Sequence, residues 1–248
     1  MPELPEVENV VRSLAPKLTG RRLISAQNWE GPALGQGIRA VRRHGKYIVL
    51  DLDHGHLLVH LRMTGKLLWN GARTPYTRIE FLLDDGSSLL YDDVRRFGRV
   101  SWSDRLPAQG PDPLEIDAAD FAERLRARRG RIKPLLLDQQ FLRGLGNIYV
   151  DEALFRAAIH PRAVVSRLSL PRALRLWTVI RELLSEAIAL GGSSISDYVD
   201  GDGQRGRFQQ HHQVYGKSGE PCPQCGTPIR RIVVNQRGTH FCTRCQRP

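Results

Sequence analysis

Apolar side chains recur with two different periods along this chain, and the change of period divides it. Val7, Val10, Val11, Leu14 and Leu18 follow Pro5-Glu6 at helical spacing, which predicts an amphipathic helix that Pro16 kinks or ends before Gly20. From Leu23 to Trp102 the period falls to two. Ile48, Leu50 and Leu52 alternate with Tyr47, Val49 and Asp51; Leu57, Val59 and Leu61 follow, and Asp84-Asp85-Gly86 between apolar runs signals a hairpin. These short runs predict a sandwich of antiparallel strands. From Leu106 to Pro113 the chain turns rich in Pro, Gly and Asp, as at a domain boundary. Helical spacing then returns. Asp117 to Gly130 predicts a basic amphipathic helix carrying Arg124, Arg126, Arg128 and Arg129, and Lys133-Pro134 opens another. Ser169-Leu170-Pro171 caps a long helix through Leu174, Trp177, Ile180, Leu184 and Ile188, stopped by Gly191-Gly192. The polar stretch from Ser193 to Arg207 is expected to be a mobile loop, either a lid or a linker. The fold class is α+β: an N-terminal antiparallel β-sandwich with a leading helix over 1–112, a helical domain over 113–212, and a C-terminal β-hairpin domain over 213–248.

Charge narrows the partner. Lys+Arg 37 against Asp+Glu 26 leaves +11 on 248 residues, the electrostatic footprint of a protein that sits on a polyphosphate. A membrane surface attracts such a chain too. The sequence has no apolar run of about 18 residues, however, and its acidic N-terminus opens a helix, so neither a spanning segment nor a secretory signal is predicted. A cytoplasmic protein acting on DNA or RNA is expected. One nucleic-acid footprint per chain suggests a monomer.

The four cysteines all lie between residues 222 and 245. Cys222-x-x-Cys225, sixteen intervening residues and Cys242-x-x-Cys245 form a four-thiolate zinc pattern. With every coordination position taken by sulfur, the zinc folds a hairpin and performs no chemistry. That hairpin is predicted from Ile229 to Phe241, with its turn near Asn235-Gln236-Arg237-Gly238. An arginine at such a tip is placed to grip phosphate, and in isolation it is equally a solvated turn residue.

At the other end, Met1 precedes a small residue and is a good substrate for removal, which leaves Pro2 as a secondary amine beside the carboxyl of Glu3. An α-amino group titrates at roughly 7.7 to 8.0, so part of it is neutral near pH 7 and attacks carbonyl-like carbon. Proline then forms only a cationic iminium, a strong electron sink; read in isolation, Pro2 is equally a frayed terminus, with Pro5-Glu6 merely opening the helix. Three other stretches carry chemistry. Arg42-Arg43-His44-Gly45-Lys46 brings cations and a glycine to a strand end. Met63 in His60-Leu61-Arg62-Met63-Thr64-Gly65, with Arg95 and Phe97 in Asp93-Val94-Arg95-Arg96-Phe97-Gly98, are residue types that wedge into a base stack, although Met and Phe also build cores. Gly144-Leu145-Gly146-Asn147 at a helix start suits phosphate, and Asn147 serves equally as a helix cap.

Together these stretches resemble the bacterial formamidopyrimidine-DNA glycosylases, over essentially the whole chain. The likeness rests on Pro2-Glu3-Leu4-Pro5-Glu6-Val7-Glu8, on Gly144-x-Gly146-Asn147-Ile148-Tyr149 with Glu152, Leu154-Phe155 and Ile159-His160-Pro161, and on Val214-Tyr215-Gly216 before the cysteines. It implies a helix-two-turn-helix motif in the middle domain and a bifunctional repair enzyme that excises oxidised purines from double-stranded DNA and cleaves the abasic strand by β,δ-elimination. By similarity Pro2 is the nucleophile on sugar C1′, Glu3 the acid that assists ring opening, Lys46 the lysine that contacts DNA and serves β-elimination, and Arg237 the phosphate-binding residue of δ-elimination. Asn147 and Lys133 are assigned to the DNA backbone, and Met63, Arg95 and Phe97 to the wedge, with Arg95 facing the orphaned cytosine; Arg128, from the basic helix, is a further candidate DNA contact. One zinc is implied, on Cys222, Cys225, Cys242 and Cys245. Two departures stand out: Arg78 in Thr77-Arg78-Ile79-Glu80 replaces a frequent DNA-contacting histidine, and Val94 replaces a frequent proline. An endonuclease VIII-type enzyme for oxidised pyrimidines is the nearest rival. A non-catalytic zinc-ribbon DNA binder is the rival from another class, and it gives no reason for Pro-Glu at the terminus.

Overall fold

The leading periodicity becomes helix α1 (Leu4–Leu18), with Glu3 as its N-cap and Pro5 in its first turn, where a missing N–H costs nothing. Pro16 does not end the helix: it sits in the last turn, and Thr19 closes it by donating its N–H to Ala15 O at 3.1 Å. This computed structural model describes residues 1–247. It resolves into two compact units, Met1–Pro107 with Ala187–Gln209, and Ala108–Glu186 with Gln210–Pro248.

The first unit is a sandwich. β1 (Leu23–Gln27), β5 (Gly65–Trp69), β6 (Thr77–Leu83) and β7 (Ser88–Asp93) form one sheet in the order β1-β6-β7-β5. β2 (Ile38–His44), β3 (Tyr47–Leu52), β4 (His56–His60) and β8 (Arg99–Ser103) form the other in the order β2-β3-β4-β8, and every ladder is antiparallel. Alternation in the sequence sends Ile48, Leu50, Leu57, Val59, Phe81, Leu83 and Leu89 into one core, which α1 completes with Val7, Val10, Leu14 and Leu18. Each such side chain, when fully buried, contributes about 1.5–3 kcal/mol. Asp84-Asp85-Gly86 is the β6–β7 hairpin turn, as its composition predicts.

The segment 193–207 carries tertiary hydrogen bonds that its composition does not announce. Ser193 N–H donates to Glu6 Oε1 at 2.7 Å, the buried Tyr198 hydroxyl donates to Glu6 O at 3.1 Å, and Gly206 and Arg207 N–H groups return to Ser194 Oγ and Leu190 O at 2.9 Å each. Hydrogen bonds that close a loop on itself do not show in composition.

The second unit holds α2 (Ala118–Arg126), α3 (Ile132–Leu137), α4 (Asn147–Arg156), most of α5 (Leu170–Ala189), and the hairpin of β9 (Arg230–Val234) and β10 (Arg237–Phe241). Asp117 caps α2 by accepting the Asp120 N–H at 2.8 Å. The helix ends at Arg126, short of the expected Gly130, so Arg128 and Arg129 occupy an exposed turn before Gly130, whose φ of +97° no helix contains. Glu152 on α4, fully buried, accepts N–H groups from Gln213, Val214 and Tyr215 at 2.8–3.0 Å, which fixes the irregular segment leading to the cysteines. No helix among the described residues is long and apolar enough to cross a membrane.

Candidate active site and nucleic-acid interface

The chain's start is fixed. Pro2 is buried and Glu3 is 3% exposed. Glu6, in the first turn of α1, accepts the Glu3 N–H through Oε2 at 2.8 Å and the Ser193 N–H through Oε1 at 2.7 Å, so one carboxylate ties the terminus to the return segment. The two residues that the sequence nominates for amine chemistry are therefore held on the end of a rigid helix. This is a reversal of the frayed terminus expected of most chains.

Lys46 follows Gly45, whose φ of +60° makes the tight β2–β3 turn, and is 7% exposed. Close to it lies a residue the sequence reading passed over. His60, at the end of β4, is 8% exposed; burial, then the charges of Arg62 and Lys46, lower its pKa to about 4. Its ring packs edge-on against Tyr47, with centroids 4.8 Å apart, and its Nδ1 accepts the Arg62 N–H at 3.1 Å. A neutral imidazole whose Nδ1 accepts must carry its proton on Nε2, and so offers a donor. The only sequence signal was its place in the 60–65 stretch.

Met63 and Phe97 are not core residues. They are 42% and 59% exposed, on the 61–64 turn after β4 and the 94–98 turn after β7. Arg95 is exposed beside them in sequence, and each turn contains an arginine at positive φ, Arg62 at +53° and Arg96 at +57°. Arg78 on β6 is half-buried and donates through Nε to Asp93 O at 2.8 Å. These residues belong to the same unit as Pro2, Glu3 and Lys46.

In the second unit, Gly146 and not Asn147 is the N-cap of α4. Asn147 Nδ2 donates to Gly238 O at 2.9 Å, which uses one of its two N–H bonds, while its Oδ1 is buried with no hydrogen-bond partner among the described residues. Lys133 has no exposed surface. Its ammonium donates to Asp151 Oδ1 at 2.6 Å, Thr239 Oγ1 at 2.8 Å and Gly238 O at 3.2 Å, which satisfies all three of its N–H bonds. Asp151 Oδ2 in turn accepts the His240 N–H at 2.9 Å. Lys133 thus grips the hairpin strand directly after Arg237. Arg237 itself is exposed at the head of β10, beyond a two-residue turn in which Asn235 (φ +48°) and Gln236 (φ +60°) are both left-handed. Arg128 is exposed on its turn.

The four Cys sulfurs all lie within 4.8 Å of one another, at 3.9 Å for Cys222–Cys245 and 3.5 Å for Cys225–Cys242, and none is in a disulfide. Thiolates about 2.3 Å from a tetrahedral zinc stand about 3.8 Å apart, so the donor set fits that ion. Four sulfurs leave no position for substrate.

Three family models match the chain: the formamidopyrimidine-DNA glycosylase N-terminal domain over residues 1–100, the H2TH domain of the same proteins over 109–199, and the zinc finger found in FPG and IleRS over 219–248. The formamidopyrimidine-DNA glycosylase of Solibacter usitatus is 51% identical over 265 residues, covering 100% of both chains, and that of Chloroflexus aggregans is 45% identical over 271, covering 99% and 98%. Among solved structures, the MutM (FPG) protein from Thermus thermophilus is similar at a TM-score of 0.90 with 41% identity, covering 99% of this chain and 98% of that one. A Lactococcus lactis FPG mutant in complex with Fapy-dG containing DNA matches at 0.90 with 38% identity and 100% coverage of both chains.

Proposed function

The chain belongs to the formamidopyrimidine-DNA glycosylase family, and from that we infer how its residues divide the reaction. It is a base excision repair enzyme, a DNA glycosylase for oxidised purines that is also an abasic-site lyase, with one structural zinc and damaged double-stranded DNA as its partner. Three functional segments, 1–112, 113–212 and 213–248, carry catalysis, DNA binding and the zinc finger. Such work on chromosomal DNA puts the enzyme in the bacterial cytoplasm, at the nucleoid.

The Pro2 amine, freed when Met1 is removed, attacks C1′ of the damaged nucleotide, and the base leaves with the glycosidic electron pair and takes up the proton that the amine gives up. Glu3 donates a proton to the sugar ring oxygen as the ring opens, which leaves an iminium between Pro2 and C1′. Loss of a C2′ proton then expels the 3′ phosphate; Lys46 serves this step, and Arg237 binds phosphate for the second elimination. Asn147 offers its second N–H to the DNA backbone at the positive end of the α4 dipole. Lys133 acts through the hairpin, holding Gly238 and Thr239 so that Arg237 has a fixed origin. Arg128 and Arg78 add backbone charge, while Met63, Arg95 and Phe97 enter the stack where the lesion is extruded, with Arg95 toward the orphaned base. His60, neutral and sharing its surroundings with Lys46 and Arg62, joins them as a donor. The zinc supplies no chemistry; it folds the segment that presents Arg237.

The observation that carries this reading is the seating of Pro2 and Glu3: a buried start, tied by Glu6 on both sides, has no purpose in a mere DNA binder. Borohydride reduction in the presence of abasic duplex is expected to lock the enzyme to the strand, with the adduct peptide beginning at Pro2. Pro2→Gly is expected to trap less well, and a chain that keeps Met1 not at all. An adduct on an internal side chain overturns the assignment. Faster excision of thymine glycol than of 8-oxoguanine would favour the endonuclease VIII-type reading instead.

A further inference from the structure

Asp93 closes β7 just before the turn that carries Arg95 and Phe97, and it is 1% exposed. Every lone-pair direction of its carboxylate is in use. Oδ1 accepts the Thr64 hydroxyl and the Arg95 N–H at 3.2 Å; Oδ2 accepts the Gly98 N–H at 2.8 Å and the Tyr91 hydroxyl at 3.2 Å. Thr64 follows Met63, and its Oγ1 also accepts the Arg95 N–H at 3.1 Å. Gly65, the next residue, pairs with Asp93 in the β5–β7 ladder, and a Cβ there would run into Leu61 O. A Cβ at Gly98 would strike the Tyr91 hydroxyl. The two turns are thereby closed on one buried anion. Burial disfavours that charge, but the bonds from Thr64, Gly98, Tyr91 and Arg95 outweigh it and hold the carboxyl below the ordinary carboxylate range.

Asp93, 1% exposed and with both carboxylate oxygens taken, is not placed to touch DNA itself. What it does touch lies on both sides of the exposed residues: the Thr64 hydroxyl after Met63, and the backbone N–H groups of Arg95 and Gly98 flanking Phe97. Both turns also contain an arginine in left-handed backbone, Arg62 and Arg96, a conformation that persists only where surrounding bonds impose it. We propose that Asp93, with Thr64 as its link, is the positioning residue that joins the 61–64 and 94–98 turns into a single probe, so that Met63, Arg95 and Phe97 reach the base stack with fixed mutual spacing. The proposal rests on the wedge assignment of those three residues.

Asp93→Asn keeps size but turns one acceptor into a donor facing N–H or O–H groups. Thr64→Val removes the link, and Thr64→Ser restores it should a smaller change be needed. Excision of 8-oxoguanine from duplexes is expected to fall between about tenfold and about a hundredfold in both Asp93→Asn and Thr64→Val, with Thr64→Ser near wild type, as for a group displaced by a fraction of an ångström. Preference between cytosine and adenine opposite the lesion should shrink in parallel, because it depends on where Arg95 stands. Borohydride trapping on single-stranded abasic DNA, which has no stack to enter, should stay within about threefold of wild type. The proposal is overturned if Asp93→Asn and Thr64→Val retain duplex excision and opposite-base preference, or if they lose single-strand trapping to the same extent as duplex excision, which marks a general loss of structure. Arg95→Ala and Phe97→Ala separate the premise from the proposal: if these excise from duplexes as wild type does, the wedge assignment itself is wrong.

Discussion

The paired turns at 61–64 and 94–98 and the hairpin at 230–241 both present exposed arginines on or beside strained backbone, and they are organised around buried charges of opposite sign. In the turns, one anion, Asp93, gathers neutral donors from Thr64, Tyr91, Arg95 and Gly98. In the hairpin, one cation, Lys133, gathers acceptors from Asp151, Gly238 and Thr239, and the four cysteines close the chain below. An anion among neutral donors needs no counter-ion. A buried ammonium does, and Asp151 supplies it. The two tips should therefore fail in different ways, and by different amounts.

The metal gives the largest contrast. Structural zinc in small fingers contributes about 10–16 kcal/mol of folding free energy, whereas the sandwich has no such cluster of ligands among the described residues. Chelation, or Cys225→Ser, is expected to unfold β9 and β10 and abolish strand cleavage while the first unit's strands stay protected. Hydrogen exchange followed by mass spectrometry checks this: rapid exchange over 230–241 with slow exchange over 47–60. Loss of protection in the sandwich to the same degree would show that the two regions do not fold separately.

Next comes the counter-ion. Asp151→Ala leaves the Lys133 ammonium buried with only neutral acceptors, and breaking a buried pair from one side costs about 3–5 kcal/mol. Lys133→Met combined with Asp151→Leu removes both charges and should recover most of that stability by denaturant melts. It should not recover strand cleavage, because Gly238 and Thr239 lose their anchor. A double variant with wild-type cleavage would show that Arg237 needs no such support.

Acid reaches the two regions through histidines and gives a smaller effect. Burial, with Arg62 and Lys46, lowers His60 to about 4; burial, with Lys217, Arg156 and His211, does the same to His212, next to the segment that Glu152 holds. The folded pKa lies below the unfolded value of about 6.5, so between pH 6.5 and 4 the unfolded chain takes up protons that the folded one refuses, and stability falls as pH falls. Each histidine contributes up to about 1 kcal/mol per pH unit in that window. His60→Asn, which keeps an acceptor for the Arg62 N–H, should flatten the first share of a Tm–pH profile, and His212→Gln the second. A profile unchanged in both variants would move the acid sensitivity elsewhere.

These contrasts also show what a sequence discloses. Two periods of apolar residues were enough to foretell the sandwich and the helices, since burial follows period, and the spacing of four cysteines foretold the hairpin. The candidate residues were legible as types at spacings: Pro2-Glu3, the four cysteines, Arg237. What held them was not. Asp93, Asp151 and Glu6 are ordinary acids in a string of letters, and only a fold that brings Thr64 to Asp93 or Gly238 to Lys133 gives them partners. The same limit explains Lys133, expected on the DNA backbone and found enclosed, and Arg128, expected on a helix that ends at Arg126.

The smallest test separates strain that serves a purpose from strain that does not. Asn235 and Gln236 form a two-residue turn with positive φ at both positions, where Asn-Gly is the favoured pair and glutamine carries a steric penalty. Arg96 has the same kind of backbone, at a φ of +57°, but sits between two residues assigned to the wedge. Gln236→Gly should relieve the hairpin, stabilising it by about 1 kcal/mol, less the entropy of a freer chain. Its excision and cleavage rates should be unchanged, because the register from Arg237 onward is set by β9, Lys133 and Asn147. Arg96→Gly should relieve a similar strain yet slow duplex excision, since it frees the backbone between Arg95 and Phe97. If the two glycine variants alter melting and excision alike, backbone strain at 96 has no more functional meaning than at 236, and the precise spacing claimed for the paired turns is not needed.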